Sequence, residues 1–340
     1  MNALPAVEVG HLMVRLPGWL GDTVMALPAL RALRTGLAGR QITLVGPWAP
    51  LLTEQGIADR CVAYPSRLQG RLAAVGPLRR LRAETVLLLP NSFESALAAW
   101  LWGARWIIGY ATDGRGTLLT HPVPPPLPRR HQIDEYLGLL APLGVEPGEA
   151  TPRWVLSRDT GGDRVEGLLP SGGPASAPRV GIHLGAAFGP SKLWPPDRVA
   201  ALCRDLHRRG FTPVLLGAPS DAATAEAIVA SAGGALSSLV GKDTPELLPA
   251  LLARLAVLVS MDTGVAHLAA ALGVPVVALF GPTDPGLTAP RGASSCVIWK
   301  PPPCAPCFLP ECPIEHPCMR SIAVDEVLTA VEDRVGARRP

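Results

Sequence analysis

Hydrophobic positions in this chain follow two rhythms: short apolar runs, and longer stretches in which apolar residues recur every three or four positions. In the first half, residues 11–16, 41–45 and 85–89 predict strands, while 23–34, 95–102 and 133–143 predict helices, the first with Pro28 near its start. Residues 122–128 are a proline-rich connector expected to lie outside regular structure, because proline lacks the N–H that ladders and helices use. At 169–178 the sequence LPSGGPASAP loses all charge and reads as a linker. The rhythm then restarts, with strands predicted at 180–184, 212–216, 256–260 and 276–280 and helices at 197–209, 222–232, 245–254 and 265–272. Alternation of this kind predicts α/β units with parallel sheets. The expected organisation is a Rossmann-like domain at 1–169, a linker at 170–178 and a second Rossmann-like domain at 179–340. A cleft is expected between them, with ligands beyond the carboxyl ends of the strands.

Length and composition agree with two globular cores: 340 residues, 48% hydrophobic and 17% charged. The net charge is only +3, with no basic stripe for nucleic acid. All 17 basic residues before residue 170 are arginines, whose planar guanidinium groups suit a polyanionic acceptor. The first ten residues carry Glu8 and no basic segment leading into an apolar run, and the chain has no apolar run of spanning length. A cytoplasmic protein with only peripheral membrane contact is expected.

Three strand-to-helix junctions carry polar residues suited to chemistry. In Arg15–Asp22, RLPGWLGD, Asp22 is either the N-cap of a helix starting at Thr23 or a carboxylate able to take a proton from an attacking hydroxyl. The glycine spacing is not that of a dinucleotide fingerprint. The loop Leu184–Pro196 precedes a proline-initiated helix and contains Ser191 and Lys192, one of three lysines in the chain. Such a loop can bind phosphate through backbone amides and a cation. At Val259–His267, Asp262, Thr263 and Gly264 open a helix that carries His267, a second place for phosphate oxygens or simply a cap and a buried histidine. Asp221, after another strand, suits ribose hydroxyls or a helix cap.

Cys304, Cys307, Cys312 and Cys318, with His316 among them, match a structural tetrahedral Zn site in ligand number, though not the double CxxC of a zinc ribbon. Reduced structural thiols and an iron–sulfur cluster are the alternatives. Cys61, Cys203 and Cys296 read as small buried hydrophobes.

Five segments, in order, carry a resemblance over nearly the whole chain: RLPGWLGDTVMALPALRALR, LLLPNSFESALAAWLWGARWIIGY, HLGAAFGPSKLWPPDRVAAL, VSMDTGVAHLAAALGVPVVALFGPTDP and CAPCFLPECPIEHPCMRSI. Together they resemble glycosyltransferase family 9, and within it the enzymes that add the second heptose of the lipopolysaccharide inner core. The resemblance implies a GT-B fold with a final helix, about 324–335, packing back on the first domain. It also implies inverting transfer from ADP-L-glycero-β-D-manno-heptose, held by the second domain, to heptosyl-Kdo2-lipid A, held by the first at the inner membrane. Carried onto this sequence, Asp22 is the base. Ser191 and Lys192 meet the diphosphate, Asp221 lies near the ribose, and Asp262, Thr263, Gly264 and His267 line the donor site. Asn91, Ser92 and Arg115 face the acceptor, and catalysis needs no cofactor. Two positions depart from the family pattern: Glu94 stands where a basic residue is common, and Gly18 where an Asn-like residue precedes Trp19. The alternatives are a sister family 9 transferase acting on Kdo or another sugar, and a non-catalytic nucleotide-binding regulator of the cell envelope.

Overall fold

A computed structural model describes residues 9–156, 162–169, 177–233, 236–292 and 294–336. The chain divides into two compact units, Met1–Pro152 and Arg153–Pro340. The expected linker at 170–178 lies, apart from 177 and 178, outside the described residues. The helix Gly162–Leu168 just before it belongs with the second unit, where Glu166 pairs with Arg254 at 3.0 Å and Arg179 at 4.0 Å.

The first unit contains β1 (His11–Arg15), β2 (Gln41–Gly46), β3 (Arg60–Ala63), β4 (Thr85–Leu88), β5 (Trp106–Tyr110) and β6 (His121–Val123). All pair in parallel, in the order β3-β2-β1-β4-β5-β6. Every residue of β1 and β4 is buried, as expected for central strands covered by helices on both faces. Two expectations change here. Pro122 lies within β6, an edge strand paired only with β5, where a missing N–H breaks no ladder. The helix predicted at 23–34 starts earlier and is two helices, Leu20–Met25 and Leu27–Gly36. Pro28 cannot donate to the preceding turn, so the chain breaks at Ala26 and Pro28 opens the second helix.

The second unit repeats the plan with β7 (Arg179–His183), β8 (Thr212–Leu216), β9 (Ser237–Ser238), β10 (Val257–Met261), β11 (Val276–Phe280) and β12 (Ser295–Trp299). These parallel strands run β9-β8-β7-β10-β11-β12, the same order as the first sheet. In each unit the first strand sits beside the fourth, which puts the topological switch point, where ligands of such sheets bind, at β1/β4 and β7/β10. The second core joins Val180, Ile182, Leu215, Val257 and Val277 to Val327, Leu328, Val331 and Val335. Those last four line one face of the final helix, Val324–Gly336. The helix therefore spends its apolar stripe on the second unit's own core. Among the described residues no helix is long and apolar enough to cross a membrane.

Candidate active site

In the first unit, β1 delivers the chain through Leu16–Gly18 into the helix Leu20–Met25, whose N-cap is Trp19. Asp22 sits inside the first turn, so the capping reading is set aside. Its carboxylate accepts a hydrogen bond from the Tyr136 hydroxyl at 3.4 Å, and it is only half-buried. Tyr136 is 3% exposed, and burial together with the Asp22 charge pushes its phenol well above the usual range. It therefore stays a donor and orients the acid. A carboxylate at the end of the central strand, aimed by a buried phenol and favoured by the helix dipole, suits proton abstraction.

Asn91 and Ser92 follow β4. Ser92 caps the helix Phe93–Leu101, its hydroxyl accepting from the Ser95 amide at 3.3 Å. Arg115, expected to face the acceptor, anchors this turn. It is fully buried and donates to the carbonyls of Tyr110 (2.8 Å), Pro90 (2.5 Å) and Ser92 (3.3 Å), to Ser95 Oγ (2.9 Å) and to Asn91 Oδ1 (3.2 Å). Burial lowers its pKa to about 10, still charged at neutral pH. Glu94 pairs with Arg71 at 3.3 Å and accepts from the Tyr64 hydroxyl at 3.1 Å.

In the second unit, Lys192 and Asp262 come together across 70 residues of sequence. The ammonium donates to Asp262 Oδ2 at 2.5 Å and to the Asp262 carbonyl at 3.1 Å, and Thr283 Oγ1 donates to the same carboxylate at 2.8 Å. Lys192 also lies 4.8 Å from the centre of the Phe188 ring. Two of three ammonium hydrogens are thus engaged, leaving one for a ligand. Thr263 is the N-cap of the helix Gly264–Ala271, yet its side chain makes no cap bond and instead shares a 3.0 Å hydrogen bond with Ser260 Oγ. The first amides of that helix are left for an anion. His267, one turn on, is 4% exposed.

Ser191, expected at the donor diphosphate, braces the loop against the cysteine-rich segment. It is 1% exposed, its hydroxyl donates to the Leu309 carbonyl at 2.6 Å, and its amide donates to that of Pro310 at 3.1 Å. The cysteine-rich segment also donates from the Cys307 and Phe308 amides to the Pro282 carbonyl at 3.0 and 2.9 Å. It thus ties the Lys192 loop to the corner carrying Thr283. Among the described residues no three His, Cys, Asp or Glu side chains gather to hold a metal ion. Cys304 is exposed, whereas Cys318 is buried close under Gly281 and lies within electrostatic reach of Cys307 and Cys312.

Asp221 occupies the N-cap position of the helix Ala222–Ala232 but does not cap it, accepting instead from the Ala218 amide at 2.8 Å. Its carboxylate lies against Gly185 and Gly217, where a Cβ would come within 2.4 and 2.8 Å of Oδ2. Asp243, unmarked in the sequence reading, accepts from the Gly217 amide at 3.1 Å. Burial, with Asp221 adding to it, raises its pKa to about 6. Tyr136 and Thr283 were likewise missed. Thr283 lies inside the GPTDP run, a signal that was available, while nothing local marks Tyr136.

With this geometry in hand, comparison with known proteins points one way. A family model described as glycosyltransferase family 9 (heptosyltransferase) matches residues 71–317. Lipopolysaccharide heptosyltransferase 2 of Salmonella typhimurium is 28% identical over 312 residues, covering 84% of this chain and 87% of that protein. The Escherichia coli protein of the same name is 28% identical over 307 residues, covering 84% and 87%. Among solved structures, E. coli ADP-heptose LPS heptosyltransferase II superposes with a TM-score of 0.79 at 25% identity, covering 97% of this chain and all of that one. E. coli heptosyltransferase WaaC with ADP gives 0.73 at 19% identity, a likeness of fold, over 95% and 99%.

Proposed function

Because the chain belongs to glycosyltransferase family 9, we propose that it moves L-glycero-D-manno-heptose from ADP-heptose to a heptose of the lipopolysaccharide inner core, as an inverting heptosyltransferase of the second type. The observation that carries the mechanism is the half-buried Asp22 carboxylate at the end of β1, oriented by the Tyr136 hydroxyl. In this reading Asp22 takes the proton of an acceptor hydroxyl, and that oxygen attacks the anomeric carbon from the face opposite ADP, inverting it. The bond to the diphosphate breaks as the new bond forms, and the electron pair leaves with ADP. Lys192 and the uncapped amides after Thr263 meet the charge that grows there, in a role that asks for no divalent metal. Asp221 and Asp243 flank the end of β8 for the ribose hydroxyls. Asn91 and Ser92, locked by Arg115, form the acceptor side. The acceptor is lipid-borne, so the enzyme works on the cytoplasmic face of a membrane.

The test is ADP release from ADP-heptose with purified heptosyl-Kdo2-lipid A, comparing wild type with Asp22→Asn. Acceptor-dependent release abolished by the substitution is the expected result. Release only with a Kdo acceptor, or only with another nucleotide sugar, would reassign the substrate.

A further inference from the structure

We infer that the arginine-lined depression at the amino-terminal edge of the first sheet, with the two helices beside it, is a docking surface for an anionic phospholipid bilayer. The inference rests on the lipid-borne acceptor proposed above. The depression has a volume of about 500 Å³ and is lined by Arg79, Arg80, Arg82 and Arg105 together with Glu84 and Trp102. Its residues precede β4 and β5, so it opens at the opposite end of the strands from Asn91 and Ser92. It is therefore not part of the reaction site.

Three independent observations specify the occupant. The first is charge: residues 67–105 hold six arginines against two glutamates, an excess of four when the whole chain carries +3. Arg79, Arg80 and Arg82 are exposed and make no ion pair among the described residues, while Glu84 is already engaged by the amides of Gly10 and His11 at 3.1 and 3.0 Å. The second is an orphaned donor: Trp102 is 4% exposed, yet its indole N–H has no acceptor. A phosphate oxygen in the depression would supply one.

The third is the adjoining surface. The helices Leu68–Arg79 and Phe93–Leu101 are joined by the Arg71–Glu94 pair. They leave Leu68, Leu72, Phe93, Leu97 and Trp100 exposed, Trp100 by 60%. Apolar and indole side chains beside clustered arginines match the headgroup boundary of a bilayer, where tryptophan settles and guanidinium groups reach phosphate. Phe93 directly follows Asn91 and Ser92, and the nine-residue helix it opens is about 13 Å long. One face thus runs from the acceptor turn to the arginines, and a bilayer laid along it would present a lipid-anchored sugar where the turn can reach it.

The experiment is sedimentation of the full chain with vesicles of phosphatidylcholine alone or with 30% phosphatidylglycerol, without donor or acceptor. Binding is expected only to the anionic vesicles, with release in 0.5 M NaCl. Arg80→Gln/Arg82→Gln should weaken it about tenfold or more, since each arginine near such a surface contributes about fivefold. The double lysine variant should restore most of it, and Leu97→Ser/Trp100→Ser should weaken it with the arginines intact. All variants should release ADP at the wild-type rate with a delipidated, water-soluble acceptor. Equal binding by wild type and the glutamine variant, or no preference for anionic vesicles, overturns the surface. Loss of acceptor-dependent ADP release with vesicle binding intact overturns the heptosyltransferase reading instead.

Discussion

Lys192 and Asp262 form an ion pair at 2.5 Å with both side chains nearly shut off from water, at 11% and 7% exposure. Pairs like this cost much when one member is removed and little when both are, because the penalty is an uncompensated buried charge. Lys192→Met should lower stability by about 3–5 kcal/mol. The double variant Lys192→Met/Asp262→Leu should recover most of that in calorimetry. Neither should regain ADP affinity, which separates the structural role of the pair from its role at the diphosphate.

Asp22→Asn keeps size and shape but loses the basic oxygen. A drop in kcat of about 10²–10⁴-fold, with the melting temperature held within a degree or two, is the expected signature of a general base. Tyr136→Phe should cost less and act through Asp22, visible as a shift in the acid limb of the pH–rate profile.

At Gly185 a methyl group would arrive 2.4 Å from the Asp221 carboxylate. Gly185→Ala therefore has to push Asp221 aside. The expected result is a donor KM raised about tenfold, as overpacking of 1–3 kcal/mol implies, with the acceptor KM unchanged. Equal changes in both constants would point to a general loss of fold.

Asp243 titrates in an accessible range. Its pKa, raised to about 6, means that the folded chain holds the proton more tightly than the unfolded chain does. Between about pH 4 and 6 the group's contribution to stability therefore falls as pH rises, and the cost is complete above 6. Asp243→Asn should raise the melting temperature at pH 7.5 more than at pH 4.5. His183, lowered to about 4 by burial, works in the opposite direction over the same window, so the wild-type-minus-variant difference is the quantity to follow.

Arg115→Met should loosen the acceptor turn. Five acceptors lose their donor at once, two of them on Asn91 and Ser92. A stability loss of about 2–4 kcal/mol is expected from so many unsatisfied buried groups, along with a raised acceptor KM and an unchanged ADP affinity by calorimetric titration.

How much of this was legible depended on burial. β8 and β11 fall where the apolar runs place them, because a fully enclosed parallel strand is apolar at nearly every position. β3 and β12, half-exposed at sheet edges, mix polar and apolar residues and gave no such run. The helix Leu68–Arg79 was hidden by Gly70, Gly76 and Pro77. At the site, Asp22, Lys192 and Asp262 stood out as polar residues interrupting strand-to-helix junctions. The hydrogen bonds that Ser191 and Arg115 make to their own loops were not legible, since nothing local tells which protein groups a polar side chain will meet. Tyr136 reaches Asp22 from 114 residues away, a contact only the fold creates.

Gly189 sits so close to Pro310 that a Cβ would fall 2.4 Å from its carbonyl oxygen. The phosphate loop and the cysteine-rich segment are thus matched parts, and evolution can revise neither alone. A chimera that imports residues 185–193 from a relative should stay inactive until 304–318 is imported with it, and drift in one should leave a compensating change in the other.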